Sequence, residues 1–343
     1  MIIEQLITYG FEKGCSDIHL TEESPVIFRK NGILYKSKRI FTKKEMQRYL
    51  ETLKDLMRPE DLDLGGTTGE GIRYRIHLYR SNGKNAAAIR IFFKDIPSMK
   101  QLELPGILDR LIKFDQGLIL ICGATGSGKS TTMAALIETI NQSVSRHIVT
   151  IEDPIEYIYS DHKSLIHQRQ LGTDTFSFSS GVRSALREDP DIILVGEMRD
   201  PETISAVLTA AETGHLVLST LHTENAVQAV NRMIDSFSGD QRGWIRLQLS
   251  SVLSAVVSQR LIFCPGQGVR KAVFEVLTGT EAVKNTIRTG KLHLLTSLMQ
   301  TGGEDGMITL EQDYTRLVDK KMISQEEAKV MIEKMRSFEG INR

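Results

Sequence analysis

The sequence has few cysteines and no excess of charge of either sign. Its three cysteines, Cys15, Cys122 and Cys264, are scattered along 343 residues without a C-x-x-C pair. This spacing excludes a disulfide framework and a four-cysteine zinc site, and it suits a reducing cytosol. The chain has 43 basic residues (lysine and arginine) and 43 acidic residues (aspartate and glutamate). The chain therefore lacks the basic surplus that proteins binding nucleic-acid phosphates usually carry.

Long apolar runs are also missing. No apolar stretch reaches the roughly 20 residues that a membrane-spanning helix requires, and Ile2 and Ile3 are followed at once by Glu4 with no basic segment before them. We therefore expect neither a signal peptide nor a transmembrane segment, so that any membrane role depends on a partner. The composition, 41% hydrophobic and 25% charged, is typical of a globular protein of one to three domains.

One glycine-rich stretch is the strongest signal present. The residues that fit the P-loop pattern G-x-x-x-x-G-K-[ST] are Gly123, Ala124, Thr125, Gly126, Ser127, Gly128, Lys129 and Ser130. A strand-like apolar run precedes them and a helical stretch follows, so an ordinary glycine-rich turn is the weaker interpretation. Backbone N–H groups of such a loop surround phosphate oxygens at the positive end of the next helix. We expect ATP to bind here, with Lys129 on the β- and γ-phosphates, Ser130 on Mg²⁺, and Thr131 in the nucleotide-binding set.

The residues before this loop predict a small α+β domain over 1–94. Asn31-Gly32 lies between two apolar runs, which is a strong hairpin signal. Thr42 and Glu45 form a capping box that opens a helix to about Met57. Two prolines within 95–106 stop both helix and central strand, so we expect this segment to be a linker.

The remaining residues, 107–343, predict an α/β domain with a buried parallel sheet. Short apolar, β-branched runs alternate with helical stretches; they occupy 118–122, 148–151, 192–195 and 216–220. After about residue 225 the pattern becomes mainly helical, and the apolar spacing from Trp244 to Leu261 predicts one long helix.

Two of these predicted strands end in carboxylates. Glu152 follows the run 148–151, and Glu197 follows 192–195. The carboxyl ends of parallel strands meet at one sheet edge, where phosphates bind. Phosphoryl transfer needs an acid for Mg²⁺ and a group that positions the attacking water. On sequence alone either glutamate fits either role, and a solvated strand end is the alternative. Asp200 before Pro201 instead reads as a helix N-cap.

Histidine and arginine side chains add further candidates. His222 follows the run 216–220, at the edge where a γ-phosphate would accept its hydrogen bond, although a structural histidine fits equally well. His215, at the start of that run, is the weaker candidate. No histidine has a partner at metal-ligand spacing on its own element. An arginine finger is a further need of phosphoryl transfer; the available arginines include Arg75, Arg90, Arg183, Arg187 and Arg199, and the default for each is a surface charge.

Six linked motifs resemble those of the hexameric secretion ATPases of type IV pilus, type II secretion and competence systems. They are the P-loop at 123–130, an acidic box at 151–156, a Walker B with glutamate at 193–200, a histidine box at 213–223, and the segments 183–191 and 16–20. Within this superfamily the chain most resembles the PilT-like pilus retraction (twitching motility) ATPases. It lacks the four-cysteine zinc site and longer N-terminal region of the assembly members. It departs from the retraction pattern at 282–289, where Thr286 replaces an apolar residue and Thr289 an acid.

The resemblance implies a RecA-like P-loop NTPase motor domain behind a smaller N-terminal α+β, PAS-like domain, with six chains in a ring. It implies that Glu152 activates water, that Glu197 supports Mg²⁺ through water, and that His222 senses the γ-phosphate. It also suggests that Arg75 and Arg90 reach into the neighbouring subunit's site.

As a whole, the resemblance predicts a homo-hexameric ATPase that disassembles a pilin filament. It would be cytoplasmic and bound peripherally to the inner membrane through a pilus platform protein, with no direct nucleic-acid contact. The alternatives are a pilus-assembly or DNA-uptake ATPase and a nucleotide-gated regulatory protein with little hydrolysis. The intact Lys129, Glu152 and Glu197 argue against the latter. A RecA-like nucleic-acid motor is disfavoured by the neutral charge and the lack of a DNA-binding motif.

Overall fold

The computed structural model describes residues 2–52, 62–92, 95–264 and 266–341, with 334–341 described by backbone alone. The chain forms two compact units, one of residues 1–96 with 154–158 and the other of residues 97–153 with 159–343. The predicted helix end near Met57 and the predicted domain end at residue 94 lie outside the described residues. No helix among the described residues is both long enough and apolar enough to cross a membrane.

The described residues of the first unit form a six-stranded antiparallel sheet with two helices. Its elements are α1 (Ile2–Glu12), β1 (Asp17–Thr21), β2 (Ser24–Lys30), β3 (Ile33–Phe41), α2 (Lys43–Glu51), β4 (Leu62–Thr67), β5 (Arg73–Ser81) and β6 (Lys84–Ile91). The strand order is β3-β2-β1-β6-β5-β4. The apolar side of α1 packs into the core of this sheet, because Ile3, Leu6 and Ile7 recur at helical spacing.

Local sequence signals account for one hairpin turn and one helix cap of this unit. Asn31 and Gly32 both have positive φ, 51° and 84°, as a tight hairpin turn between right-twisted strands requires. At α2 the Thr42 hydroxyl accepts from the Glu45 N–H (3.3 Å), and the Glu45 carboxylate accepts from the Thr42 N–H (2.8 Å). The predicted hairpin and capping box are therefore confirmed, whereas β4 has no counterpart among the predicted strands.

The second unit is built on a seven-stranded sheet. Its strands are β7 (Gly117–Cys122), β8 (His147–Glu152), β9 (Leu165–Gln170), β10 (Ile192–Val195), β11 (Leu216–Leu221), β12 (Leu253–Cys264) and β13 (Val269–Thr278). Their order is β13-β12-β7-β11-β10-β8-β9. All neighbours pair in parallel except β12 and β13, which are antiparallel. The four predicted strands are confirmed.

Helices cover this sheet. They are α3 (Leu108–Leu111), α4 (Lys129–Ser143), α5 (Phe178–Ala185), α6 (Pro201–Glu212), α7 (Ala226–Asp235), α8 (Gln241–Val252), α9 (Glu281–Arg288), α10 (Leu295–Thr301), α11 (Leu310–Asp319) and α12 (Gln325–Ile341). One apolar cluster contains the buried face of α4, and a second contains those of α5, α6, α7 and α8. Asp200 caps α6 with Pro201 in its first turn, so this predicted cap is confirmed.

The prediction of one helix from Trp244 to Leu261 is wrong. The helix α8 ends at Val252, and Leu253 begins the strand β12. Ala255, Val256 and Val257 are completely buried in succession, and β12 pairs with β7 on one side and β13 on the other. A short apolar run fits a buried strand as well as a buried helix, so its periodicity does not decide between them. Here the pairing of β12 with the distant strand β7, in which Leu253 is aligned with Leu118, makes the run a strand.

The segment from Pro97 onward, within the predicted linker, packs into the second unit. Met99, Leu102 and Leu104 belong to the apolar cluster under α4. Between them, the Glu103 carboxylate accepts hydrogen bonds from Lys271, from Lys320 at 2.6 Å and from Arg316 at 3.2 Å. The hydrogen bonds from Lys271 and Lys320 lower the pKa of Glu103 to about 2.

Replacing Glu103 with glutamine should destabilise the second unit in a pH-dependent way. A carboxyl group whose pKa is lowered on folding stabilises the fold above its unfolded pKa, and that contribution is lost as the pH falls through the folded value. We expect Glu103→Gln to reduce the free energy of unfolding by about 1 kcal/mol at pH 7, after allowance for solvent screening. The difference from the wild type should shrink between about pH 4.5 and pH 2.

Urea unfolding followed by the fluorescence of Trp244, the only tryptophan in the chain, measures this difference. Glu304→Gln, at an exposed acid of the same unit, is the control and should change little. An unfolding free energy that differs from the wild type by the same amount at pH 7 and at pH 2 would contradict the ionic role of Glu103.

Candidate active site

The predicted groups of the second unit meet at one edge of its sheet. The strands β7, β11, β10 and β8 are consecutive neighbours in this order, and they run in parallel. The P-loop follows β7, His222 follows β11, Glu197 lies just past β10, and Glu152 is the last residue of β8. Their register aligns Cys122 with Leu221 and Val195 with Ile151. The carboxyl ends of these four strands therefore bring phosphate-binding, basic and acidic groups together.

The P-loop itself is shaped by its glycines. Gly126 and Gly128 have φ of 78° and 91°, a region that side chains with a Cβ rarely adopt. The helix α4 begins at Lys129. Lys129 is buried, and its ammonium donates to the carbonyl oxygens of Gly123 (2.8 Å) and Ala124 (3.0 Å). The loop thus holds a cation at the mouth of a helix N-terminus, which is the arrangement that phosphate groups require.

A buried glutamine on β12 supports this loop from behind. Gln259 donates through Nε2 to the carbonyl oxygen of Ser127 (2.8 Å) and accepts through Oε1 from the hydroxyl of Thr132 (2.7 Å). It therefore ties the loop to the first turn of α4. A Cβ at Gly128 would lie 2.7 Å from the Gln259 amide nitrogen. Sequence reasoning missed Gln259 because it placed residues 244–261 in a helix.

Glu197 lies between two basic side chains. Its Oε1 is 2.6 Å from Nη2 of Arg199, and its Oε2 is 3.3 Å from Nε2 of His222. In the part of the chain that the structure describes, the buried Oε2 of Glu197 has no hydrogen-bond partner. Burial and the charge of Lys129 lower the pKa of His222, and they outweigh the opposing effect of Glu197. The imidazole is thereby favoured in its neutral form.

These oxygen donors fit Mg²⁺. At Glu197 a buried carboxylate oxygen has no hydrogen-bond partner among the described residues. Ser130, which is exposed and carries a hydroxyl group, lies at the same edge of the sheet. Mg²⁺ prefers a few protein oxygens together with water and substrate phosphates. Among the described residues no group of three or more histidine, cysteine, aspartate or glutamate side chains could hold a metal ion.

Glu152 is held by its own strand and the next one. The hydroxyl of Thr150 donates to Oε1 of Glu152 at 2.7 Å, and Nε2 of Gln168 on β9 donates to the same oxygen at 3.1 Å. Sequence reasoning singled out neither donor. The polar Thr150 within an apolar run was the available signal for one of them, since a completely buried hydroxyl needs a partner.

The predicted arginines have different surroundings. In the first unit Arg75 lies 3.0 Å from Asp63 and Arg90 lies 3.1 Å from Asp17. In the second unit, Arg183 and Arg187 are exposed near the end of α5. His215 lies at the start of β11, where its Nδ1 is 2.9 Å from the carbonyl oxygen of Ala210. That position is the opposite end of the strand from His222, so His215 is not part of the site.

Comparison with known proteins places this site in a family. The family model described as type II/IV secretion system protein matches residues 1–342. The chain is 43% identical over 324 residues to the uncharacterized protein YggR of Escherichia coli, covering 93% of this chain and 98% of that one. It is 38% identical over 346 residues to the type IV pilus retraction ATPase PilT of Pseudomonas aeruginosa, covering 96% and 97%.

A solved structure extends this likeness to the fold. The crystal structure of the pilus retraction motor PilT with bound ADP matches with a TM-score of 0.84 and 40% identity, and the match covers 95% of each chain.

The support that Gln259 gives to the P-loop can be measured as nucleotide affinity. We expect Gln259→Leu to weaken ADP binding about tenfold, roughly 1.4 kcal/mol, because the loop loses a hydrogen bond and a buried hydroxyl loses its acceptor. Titration with a fluorescent ADP analogue gives the dissociation constant. Gln142→Leu, at an exposed amide on α4, is the matched control. An unchanged dissociation constant in Gln259→Leu would show that the loop keeps its shape without this amide.

Proposed function

The chain belongs to the type II/IV secretion system protein family, and from this premise we propose that it is the ATP-hydrolysing motor that retracts type IV pili. The predicted membership of the PilT-like secretion ATPases and the predicted RecA-like α/β fold are both confirmed. One observation carries the proposal: four neighbouring parallel strands have, at or beyond their carboxyl ends, the residues Lys129, Glu152, Glu197 and His222.

Each of these groups has a task that its surroundings support. Lys129 and the backbone N–H groups of residues 123–131 bind the ATP phosphates, since the loop already concentrates positive charge at a helix N-terminus. Ser130 and, through water, Glu197 hold Mg²⁺, which when bound neutralises charge on the phosphates. Glu152, fixed by two hydrogen-bond donors, accepts the proton of the attacking water. His222, favoured as the neutral imidazole, donates a hydrogen bond to the γ-phosphate.

The site is completed by a neighbouring subunit in this proposal. Arg75 and Arg90 reach from the first unit of one chain into the nucleotide site of the next, within a homo-hexameric ring. In that position an arginine stabilises charge in the transition state, an effect of roughly 10³–10⁵ in rate. The ring works at the cytoplasmic face of the inner membrane on a pilus platform protein, and through it on the pilin filament.

The departure at residues 282–289 leaves the hydrolytic site unchanged. These residues largely form α9, whose Thr286 is buried together with Val283 and Ile287, so the small polar side chain occupies an inward position. The strands that hold the hydrolytic groups are β7, β8, β10 and β11, and α9 packs principally on α8. Any effect of this departure therefore concerns the direction of work, for which pilus assembly or DNA uptake is the alternative, rather than ATP hydrolysis.

Two substitutions separate nucleotide binding from hydrolysis. Lys129→Ala should abolish turnover and weaken ATP binding, because the phosphates lose their buried cation. Glu152→Gln should keep nucleotide affinity within about twofold yet lower turnover by about 10²-fold or more, since an amide cannot accept the proton. Phosphate release and analogue titration measure the two properties. If Glu152→Gln hydrolyses ATP at the wild-type rate, the base is another group.

Deletion of the gene in its own cell tests the direction of work. Loss of a retraction motor should leave more surface pili and abolish twitching, because filaments are built but not withdrawn. Pili are counted by electron microscopy, with plasmid-borne wild type and Lys129→Ala as complementing and non-complementing controls. A deletion strain without pili would identify an assembly motor and overturn the retraction proposal.

A further inference from the structure

The structure points to Gln168 and Thr150 as positioning residues that hold the carboxylate of Glu152 ionised and correctly oriented. We propose that both act on ATP hydrolysis through Glu152 alone, without contacting the nucleotide. The inference rests on the proposed function, since it assigns to these two side chains the tuning of the proposed general base.

The register of the sheet puts the three side chains on one face. Successive residues of a strand point to opposite faces, so Thr150 and Glu152 on β8 point the same way. The strand β9 pairs with β8 in parallel, and Thr150 is aligned with Gln168. The apolar neighbours of these residues on the same face, Ile148 and Ile166, belong to the cluster under α4, the P-loop helix. The trio therefore lies on the face of the sheet that carries the P-loop helix.

The amide of Gln168 has a fixed orientation. Its Oε1 accepts a hydrogen bond from the backbone N–H of Tyr159 at 3.1 Å. A carbonyl oxygen is needed at that position, so the amino group is the end that faces Glu152, where it donates at 3.1 Å. The backbone contact with Tyr159 thereby settles which end of the amide faces the carboxylate, and Gln168 delivers a donor rather than an acceptor.

Thr150 delivers the second donor. It is completely buried within a strand whose neighbouring residues are Val149 and Ile151, where a valine would serve packing equally well. Its hydroxyl donates to Oε1 of Glu152 at 2.7 Å. Burying a hydroxyl group costs free energy unless the group is hydrogen-bonded. The hydroxyl of Thr150 is therefore explained by its hydrogen bond to Glu152 and not by packing alone.

Two donors on one oxygen have a specific chemical effect. Hydrogen bonds to a carboxylate favour its ionised form, and a general base must be ionised to accept a proton. They also fix the rotation of the carboxylate about its terminal bond, which orients it for the attacking water. Loss of either donor should therefore reduce the fraction of active, ionised enzyme most strongly at low pH.

The variants are Gln168→Leu and Thr150→Val, which remove one donor each and keep side-chain size. We expect each to lower kcat about tenfold at pH 7 and to move the acid limb of the kcat–pH profile upward by about one pH unit, with nucleotide affinity changed less than about twofold. The loss at pH 7 comes from the lost orientation of the carboxylate, and it should deepen as the pH falls toward the acid limb. Thr150→Ser restores a hydroxyl and should recover most of the rate lost in Thr150→Val. Gln142→Leu, at an exposed amide, is the matched control.

The results distinguish the possible outcomes. An acid limb at the wild-type pH in both Gln168→Leu and Thr150→Val overturns the inference, as does a rate loss that only follows weaker nucleotide binding. If Gln168→Leu fails to fold, as judged by the fluorescence of Trp244, the comparison of Thr150→Val with Thr150→Ser decides alone.

Glu152→Gln, assayed in parallel, separates this inference from the proposed function. A fully active Glu152→Gln would remove Glu152 as the base, and the role of its two donors with it. An inactive Glu152→Gln together with wild-type profiles in both donor variants would overturn the positioning role while leaving the base assignment in place.

Discussion

Parallel pairing of four neighbouring strands is the constraint on which the site depends. Because β8, β10, β11 and β7 run in the same direction, their carboxyl ends share one edge, and residues up to about 100 apart in sequence meet there. Antiparallel pairing of any one of them would send its terminal side chain to the opposite edge. The apolar, β-branched runs that fix this pairing thus also fix where Glu152, Glu197 and His222 lie. Core packing and chemistry are consequences of the same register.

The P-loop also depends on the strand β12, which the P-loop motif does not predict. The strand β12 lies beside β7 and brings the buried Gln259 against the loop. Gly123 and Gly128 are therefore required for space as well as for backbone conformation, since side chains there would collide with Gln259. The pattern G-x-x-x-x-G-K-[ST] records only the loop's side of this contact. The other side of the contact is Gln259, which lies 132 positions after Ser127 in the chain.

This division explains what the sequence could predict. Signals carried by adjacent residues were sufficient for the Thr42 capping box, the Asn31-Gly32 hairpin, the Asp200 cap and the four central strands. The edge at which Glu152, Glu197 and His222 meet was also predictable, because the carboxyl ends of parallel strands lie at the same edge of a sheet. The strand β12, whose partner β7 is distant in the chain, was placed in a helix. The edge strands β4 and β9 were not predicted either, although each pairs with the strand next to it in the chain. Gln259 and Glu103 were missed because their partners lie far along the chain. Gln168 was missed because only the pairing of β9 with β8, which was not predicted, brings it to Glu152.

The same long-range contacts join separate parts of the second unit. Glu103, in the segment that opens this unit, is bonded to Lys271 on β13 and to Lys320 just past α11. The strand β13 pairs along its length with β12, where Phe274 is aligned with Gln259, and Gln259 bonds to the carbonyl oxygen of Ser127 in the P-loop. Strand pairs keep their register because sliding by one residue would turn every side chain to the wrong face. One continuous set of contacts therefore joins the opening segment, the end of α11 and the phosphate loop. The phosphate loop cannot shift relative to β12 without breaking the Gln259 contact.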